Sequence, residues 1–240
     1  MVILLLFTGG RIAYCQRLYS ANAESKTLQD GKYAKINRQI YYRTGGNLNI
    51  LYSNPSGEEY YSSTSPFGLT TFYYPATKES VTLGRDFFSA DDELLCLFAG
   101  GGAEDLGLQR FGYLLKSSSK DGKYTVRRYE PREKGGRCAR VELVLDESYL
   151  PVYCAYFDAK DKLLTKTYYS GYTFVKDFVF PQRVTEISYF GAKRDSTVRL
   201  DIYSRIKVDE PSPMFDFRVP SDAVSVDMKK GLEALVKKRP

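Results

Sequence analysis

The residues of this chain that bear on chemistry are its acidic pairs, its serines and lysines, a glycine triplet and four cysteines; histidine is absent from all 240 positions. Without histidine there is no Ser-His-Asp or Cys-His relay and no mixed Cys/His zinc site. Ser-Lys or carboxylate catalysis stays open on composition alone. Asp91, Asp92 and Glu93 have the look of paired catalytic acids. Acids in the first turn of a helix also complement its dipole, which accounts for them without chemistry. Asp158 and Asp161, within Phe157-Asp158-Ala159-Lys160-Asp161-Lys162, lack the ligand spacing of a calcium loop and read as turn residues. Gly100-Gly101-Gly102 lacks the spacing of a nucleotide-binding phosphate loop. It also follows a helical stretch, where such loops follow a strand, so a helix stop is expected. These groups assign no catalytic residue, no metal site and no cofactor.

The cysteines bear on compartment. Residues 2–7, Val-Ile-Leu-Leu-Leu-Phe, form an apolar run too short to span a bilayer. The run reads as the centre of a secretory signal, with Ala13 and Cys15 as small residues at a cleavage site before Gln16. No basic residue precedes it. Residues 1–15 are therefore expected to be a signal peptide and the mature chain to be periplasmic. Ile12-Ala13-Tyr14-Cys15 also resembles the box before a lipid-modified cysteine. Tyr14 is large where that box wants a small residue, so simple cleavage is favoured over lipid anchoring through Cys15. Cys96, Cys138 and Cys154 then remain, an odd number. A turn centred near Ser148 sets Cys154 opposite about position 142, so a Cys138–Cys154 bridge is not expected.

The formal charge of +6 is unevenly placed. Lys229, Lys230, Lys237, Lys238 and Arg239 face only Glu233 in the tail 229–240, which leaves the body near neutral. A nucleic-acid binder needs a basic face with stacking aromatics, so nucleic acid is not an expected partner. Met228, Leu232, Leu235 and Val236 would form the apolar edge of a short helix in that tail. That edge suits docking on the protein better than an anionic membrane surface.

The remaining signal is aromatic: 21 Tyr and 14 Phe among 240 residues. Alternating runs separated by turn chemistry place them on strands. Residues 38–42 and 48–52 flank Thr44-Gly45-Gly46-Asn47, and 113–116 and 124–129 flank Lys120-Asp121-Gly122-Lys123. Residues 140–145 pair with 152–157, residues 163–169 with 172–180 up to Pro181, and residues 183–190 with 197–208. Helix is expected at residues 94–98, after a capping box at Ser89-Ala90-Asp91-Asp92, weakly at 104–110, and before Gly31. The doublets Tyr41-Tyr42, Tyr60-Tyr61, Tyr73-Tyr74 and Tyr168-Tyr169 send one ring to each face of a sheet. A curved sheet lined by Ile40, Tyr42, Leu48, Ile50, Tyr52, Phe72, Tyr74, Leu143, Leu145, Leu200 and Ile202 would form an apolar concavity. The helix bearing Leu94, Leu95 and Phe98 is the candidate lid.

Residues 141–227 resemble the outer-membrane lipoprotein-sorting family, the LolA-like periplasmic carriers. Val141-Glu142-Leu143-Val144-Leu145-Asp146 leads into Leu150-Pro151-Val152, Tyr156-Phe157-Asp158-Ala159-Lys160-Asp161 makes an aspartate-bearing turn, and Pro181-Gln182-Arg183 opens a strand. Phe215-Asp216-Phe217-Arg218-Val219-Pro220, after Met214 and before Val224-Ser225-Val226, resembles the family's closing segment. Gly31-Lys32-Tyr33 fits the early part loosely. The resemblance implies a mainly β (α+β) chain: a strongly curved, unclosed antiparallel barrel with a few short helices as a lid. It implies an apolar cavity for acyl chains, with no metal, cofactor or catalytic residue. No counterpart of the family's lid-locking arginine stands out.

The expectation is therefore a single domain over 16–240 that is not an enzyme. It would be a monomeric periplasmic carrier of lipid or lipoprotein acyl chains, working with inner- and outer-membrane sorting partners. The alternative is a sensor or protein-interaction module of the cell envelope on the same fold, which transports nothing.

Overall fold

The computed structural model describes residues 16–84, 90, 93–191 and 195–226. The signal segment, Ser89, Asp91 and Asp92 of the capping box, and the basic tail lie outside the described residues.

Alternating sequence and Gly-bearing turns build two antiparallel meanders. The first comprises β1 (Leu18–Gln29), β2 (Lys32–Arg43), β3 (Leu48–Ser53), β4 (Glu59–Thr64), β5 (Thr70–Tyr74) and β6 (Glu79–Leu83). The second comprises β7 (Tyr113–Asp121), β8 (Tyr124–Pro131), β9 (Arg140–Leu145), β10 (Pro151–Phe157), β11 (Leu163–Val175), β12 (Phe178–Phe190) and β13 (Asp195–Val208). Pairing of β1 with β13 fuses them into one sheet, ordered β6-β5-β4-β3-β2-β1-β13-β12-β11-β10-β9-β8-β7. The short β14 (Val224–Ser225) adds to β6 in parallel. The result is one large, curved, unclosed antiparallel sheet, as the sequence suggested.

This topology explains the helix. β6 and β7 lie toward opposite edges of the sheet, so their connection must cross the concave face. The helix α1 (Leu94–Ala99) lies on that path and touches β1, β2 and β12. Leu95, Cys96, Leu97 and Phe98 are buried. The Phe98 ring meets Phe180 edge-on at 5.3 Å. Gly100 and Gly101 end the helix, their N–H groups donating to the carbonyls of Cys96 and Phe98. Gly101 has φ +80°, open to glycine without a Cβ penalty. The glycine triplet is thus a helix stop. Beyond it, Gly102–Glu104 forms one 3-10 turn, and most of 104–110, where a second weak helix was expected, is turn.

Residues before Gly31 are strand, not helix. Ala, Glu, Lys and Gln favour helix locally, but β1 is paired on both sides, and tertiary pairing overrides propensity. Ala21 and Ala23 face inward and are buried. Their small side chains leave room for α1 above β1. β12 also runs through Pro181 instead of stopping there. The β12–β13 ladder ends at Arg183, so the proline sits where β12 has left its neighbour, a position that tolerates the missing N–H.

Each tyrosine doublet divides between faces. Tyr52, Tyr60 and Tyr74 stack on the inner face, with centroids 4.5 and 5.7 Å apart. Tyr41 and Tyr61 face outward, where the segment after β13 covers them. Phe215 meets Tyr41 at 5.4 Å and Phe217 stacks on Tyr61 at 4.7 Å. Asn49 Nδ2 donates to the carbonyls of Met214 and Phe215 and ties that segment down. Cys96, Cys138 and Cys154 are free thiols. Cys154 faces Leu143, one place from the expected position, because the register slips between Pro151 and Tyr153.

Candidate functional site

A cavity of about 680 Å³ lies between α1 and strands β10–β13. Leu94 and Leu97 of α1 form one wall. Tyr156, Tyr169, Val184 and Tyr203 form the apolar part of the sheet wall, with Thr165 and Thr167 beside them. Burial raises the Tyr156, Tyr169 and Tyr203 phenols above their ordinary value, so all three present neutral rings.

Charge runs across the same cavity. Arg38 Nη1 donates to Glu93 Oε2 at 2.6 Å, tying β2 to the start of α1. Arg38 Nη2 lies 3.5 Å from Asp201 Oδ1. Arg199 Nε lies 3.2 Å from Asp201 Oδ2, and its Nη2 lies 3.8 Å from Glu186. Alternation places these groups. Arg38 shares a face with Ile40 and Tyr42, and pairing sets Ser25 against Asp201 and Thr27 against Arg199. Burial acts to lower Arg38, but the neighbouring Glu93, Tyr203 and Asp201 outweigh it and hold the guanidinium above its ordinary range. Arg199 is raised in the same way: burial opposes, while Asp201 and Glu186 prevail.

The residues expected to line the concavity fall in three other places. Ile40, Leu48, Ile50, Leu143 and Leu145 are buried in the main core, with Tyr42 and Tyr52 packed against it. Phe72 forms a smaller core with Val81 and Leu83 under Tyr74. Leu200 and Ile202 are half-buried on the opposite face, because Asp201 and Tyr203 take the inward positions of β13. The inner face under β1–β3 is thus packed solid, and the open space lies over β10–β13. Of the lid residues, Leu94 lines the cavity, while Leu95 and Phe98 anchor the helix in the core.

The acids weighed as catalytic have structural partners. Asp158 Oδ1 accepts from the N–H groups of Lys160 and Lys162, and Asp161 pairs with Arg140. The charged wall of Arg38, Glu93, Glu186, Arg199 and Asp201 was not anticipated. Its signal was present in the parity of β2, where Arg38 precedes Ile40 and Tyr42 at intervals of two. Among the described residues, no group of three metal-ligating side chains occurs and no helix is long and apolar enough to cross a membrane.

In sequence, the chain matches no protein-family model and no curated protein. In structure, it is similar to a LolA superfamily protein from Nitrosomonas europaea, with TM-score 0.55 and 12% identity over 85% of this chain and 92% of that one. A DUF1329 family protein from Desulfovibrio piger gives 0.54 and 15% over 85% and 90%. An outer-membrane lipoprotein-sorting protein domain from Vibrio parahaemolyticus gives 0.53 and 13% over 83% and 89%. These likenesses establish the class of architecture. The chain has a LolA-like fold.

Proposed function

We propose that this protein is an exported, periplasmic carrier that takes up acyl chains of lipids or lipoproteins and passes them toward the outer membrane. The observation that carries this reading is the cavity of about 680 Å³ under a six-residue helix, on a LolA-like fold. Its size lies within the range of small-molecule sites. Leu94, Leu97, Val184 and three neutral tyrosine rings supply apolar wall. Each methylene removed from water contributes about 0.8 kcal/mol, so even part of an acyl chain binds with useful strength. Release requires the roof to move. The Arg38–Glu93 pair joins that roof to the sheet, in the role of the lid-fastening arginine that the family resemblance implies. Donor and acceptor proteins at the two membranes complete this reading.

The test is saturable binding of a fluorescent fatty acid to the purified protein. Leu94→Asp and Leu97→Asp place a carboxylate in the apolar wall and should lower affinity at least tenfold with unchanged far-UV circular dichroism. Unchanged affinity in both variants contradicts the proposal.

A second reading, an envelope sensor or protein-interaction module, has its own support. Phe67, 83% exposed on the β4–β5 turn, and Phe174, 72% exposed near the end of β11, stand at the same end of the sheet, where β1 begins and β13 ends. Loss of a co-purifying protein on Phe67→Ser, with acyl binding absent from the wild type, would favour it.

A further inference from the structure

We propose that the cavity selects amphiphiles whose polar end is a primary ammonium group, held by Glu93 and Asp201. This deepens the acyl-carrier reading and rests on it, since the tail of such a ligand needs the apolar wall described above.

The acyl-chain reading leaves the charges of the cavity unused. Acyl chains need no ions, yet six charged side chains line the cavity, the acids Glu93, Glu186 and Asp201 and the arginines Arg38, Arg137 and Arg199. Glu93, 7% exposed, and Asp201, 3% exposed, are the most buried of the six. Arg38 pairs with Glu93 and approaches Asp201, while Arg199 pairs with Asp201 and lies near Glu186, so the charges are matched. The hydrogen bonds are not matched. Glu93 Oε2 is taken by Arg38, but buried Glu93 Oε1 has no hydrogen-bond partner. Asp201 Oδ1 is likewise buried, with only the 3.5 Å approach of Arg38 and no hydrogen bond. A buried carboxylate oxygen without a donor is costly, so each is a place for a donor to come. The two acids are bridged by one guanidinium, Arg38, which sets their carboxylates on either side of it.

A primary ammonium has three N–H donors and one positive charge. It can therefore donate to both unpaired oxygens at once. A trimethylated ammonium carries the same charge without an N–H, and a phosphate brings acceptors where donors are needed. Arg38 Nε is also buried without a partner. That single unused donor is outnumbered by the two unused acceptors, which favours the cation. With the head beside Arg38, on Glu93 Oε1 and Asp201 Oδ1, a tail can run along Leu94, Leu97 and Val184. The shared chemistry is an ammonium on an apolar chain, from an ethanolamine lipid headgroup or from a free long-chain amine.

The test measures displacement of bound N-phenyl-1-naphthylamine from delipidated protein by dodecylamine, dodecyltrimethylammonium, dodecanol and dodecyl phosphate. Dodecylamine should act at a concentration about tenfold lower than the other three, the margin of a charge-assisted hydrogen bond. Glu93→Gln, and separately Asp201→Asn, should reduce that margin to about threefold or less. The wild-type comparison of dodecylamine with dodecyltrimethylammonium stands even if a variant fails to fold. Equal potency of all four overturns the ammonium site and leaves the acyl cavity standing. Dodecyl phosphate acting best, with its advantage lost in Arg38→Met, overturns it in favour of an anionic head. Displacement by none overturns the acyl reading itself. Finally, dihexanoyl phosphatidylethanolamine beating dihexanoyl phosphatidylcholine identifies a lipid headgroup as the source; selectivity confined to the alkylamines identifies a free amine.

Discussion

Arg38 is the side chain on which the roof and the cavity meet. It joins the roof helix to the sheet through Glu93 and approaches Asp201 across the cavity. Removing it would leave Glu93 buried without a cation and Asp201 with Arg199 alone. Arg38→Met should therefore destabilise the fold by about 3–5 kcal/mol, the cost of breaking a buried charge network on one side. The double variant Arg38→Met, Glu93→Gln should recover part of that loss, because one stranded charge is gone. Urea unfolding curves of the two variants check this. If the single variant unfolds at the wild-type midpoint, the network carries no stability. This residue was readable in part. Its parity with Ile40 and Tyr42 placed it on the inner face, but its partners lie 55 and 163 positions away, and no local pattern reveals them. The same holds for β13, where the apolar residues Leu200 and Ile202 suggested the inner face. Pairing with β1 turned Asp201 and Tyr203 inward instead.

At the scale of elements, the connection from β6 to β7 builds the roof, and glycines shape it. Gly107 has φ +71°, and a Cβ there would stand 2.7 Å from Leu97 Cδ1, on the wall of the cavity. Gly101 has φ +80° but nothing within 4 Å of the same position. The two positions separate strain from crowding. Gly101→Ala should cost about 1–2 kcal/mol through backbone strain alone. Gly107→Ala should cost more, and should also weaken acyl binding by displacing Leu97. Thermal melts and the fatty-acid titration read both effects; equal losses at the two sites would contradict the close approach. Hairpins were the most legible elements, since their turn residues and alternation are local. β1 was the least legible. Its sequence has helical propensity, and only its place between β2 and β13 makes it a strand.

The whole molecule is a sheet whose two faces are both dressed with tyrosine. Burial pushes the Tyr74 phenol up to about 12. Tyr113 reaches about 12 as well, through burial and then the neighbouring Cys138. Tyr156, Tyr169, Tyr172 and Tyr203 are also raised, all chiefly by burial. An unfolded phenol titrates near about 10. The folded values lie above this, so the buried rings contribute their full stability below about pH 10 and lose it as pH rises toward 12. Absorbance at 295 nm should show exposed tyrosines ionising first, and the rest only as far-UV circular dichroism collapses. Tyrosines titrating together near pH 10, with the sheet intact, would contradict the burial described here. The curved, open sheet was legible from consecutive hairpins and from the family resemblance. The position of the cavity was not, because it depends on where α1 crosses and which part of the concave face it leaves unfilled. Whether this space holds an amphiphile is read most directly by native mass spectrometry of the freshly purified protein. A bound lipid-sized mass, released on activation and absent from Leu94→Asp, is the result expected. A bare polypeptide mass that stays bare after incubation with dodecylamine and with fatty acid would contradict it.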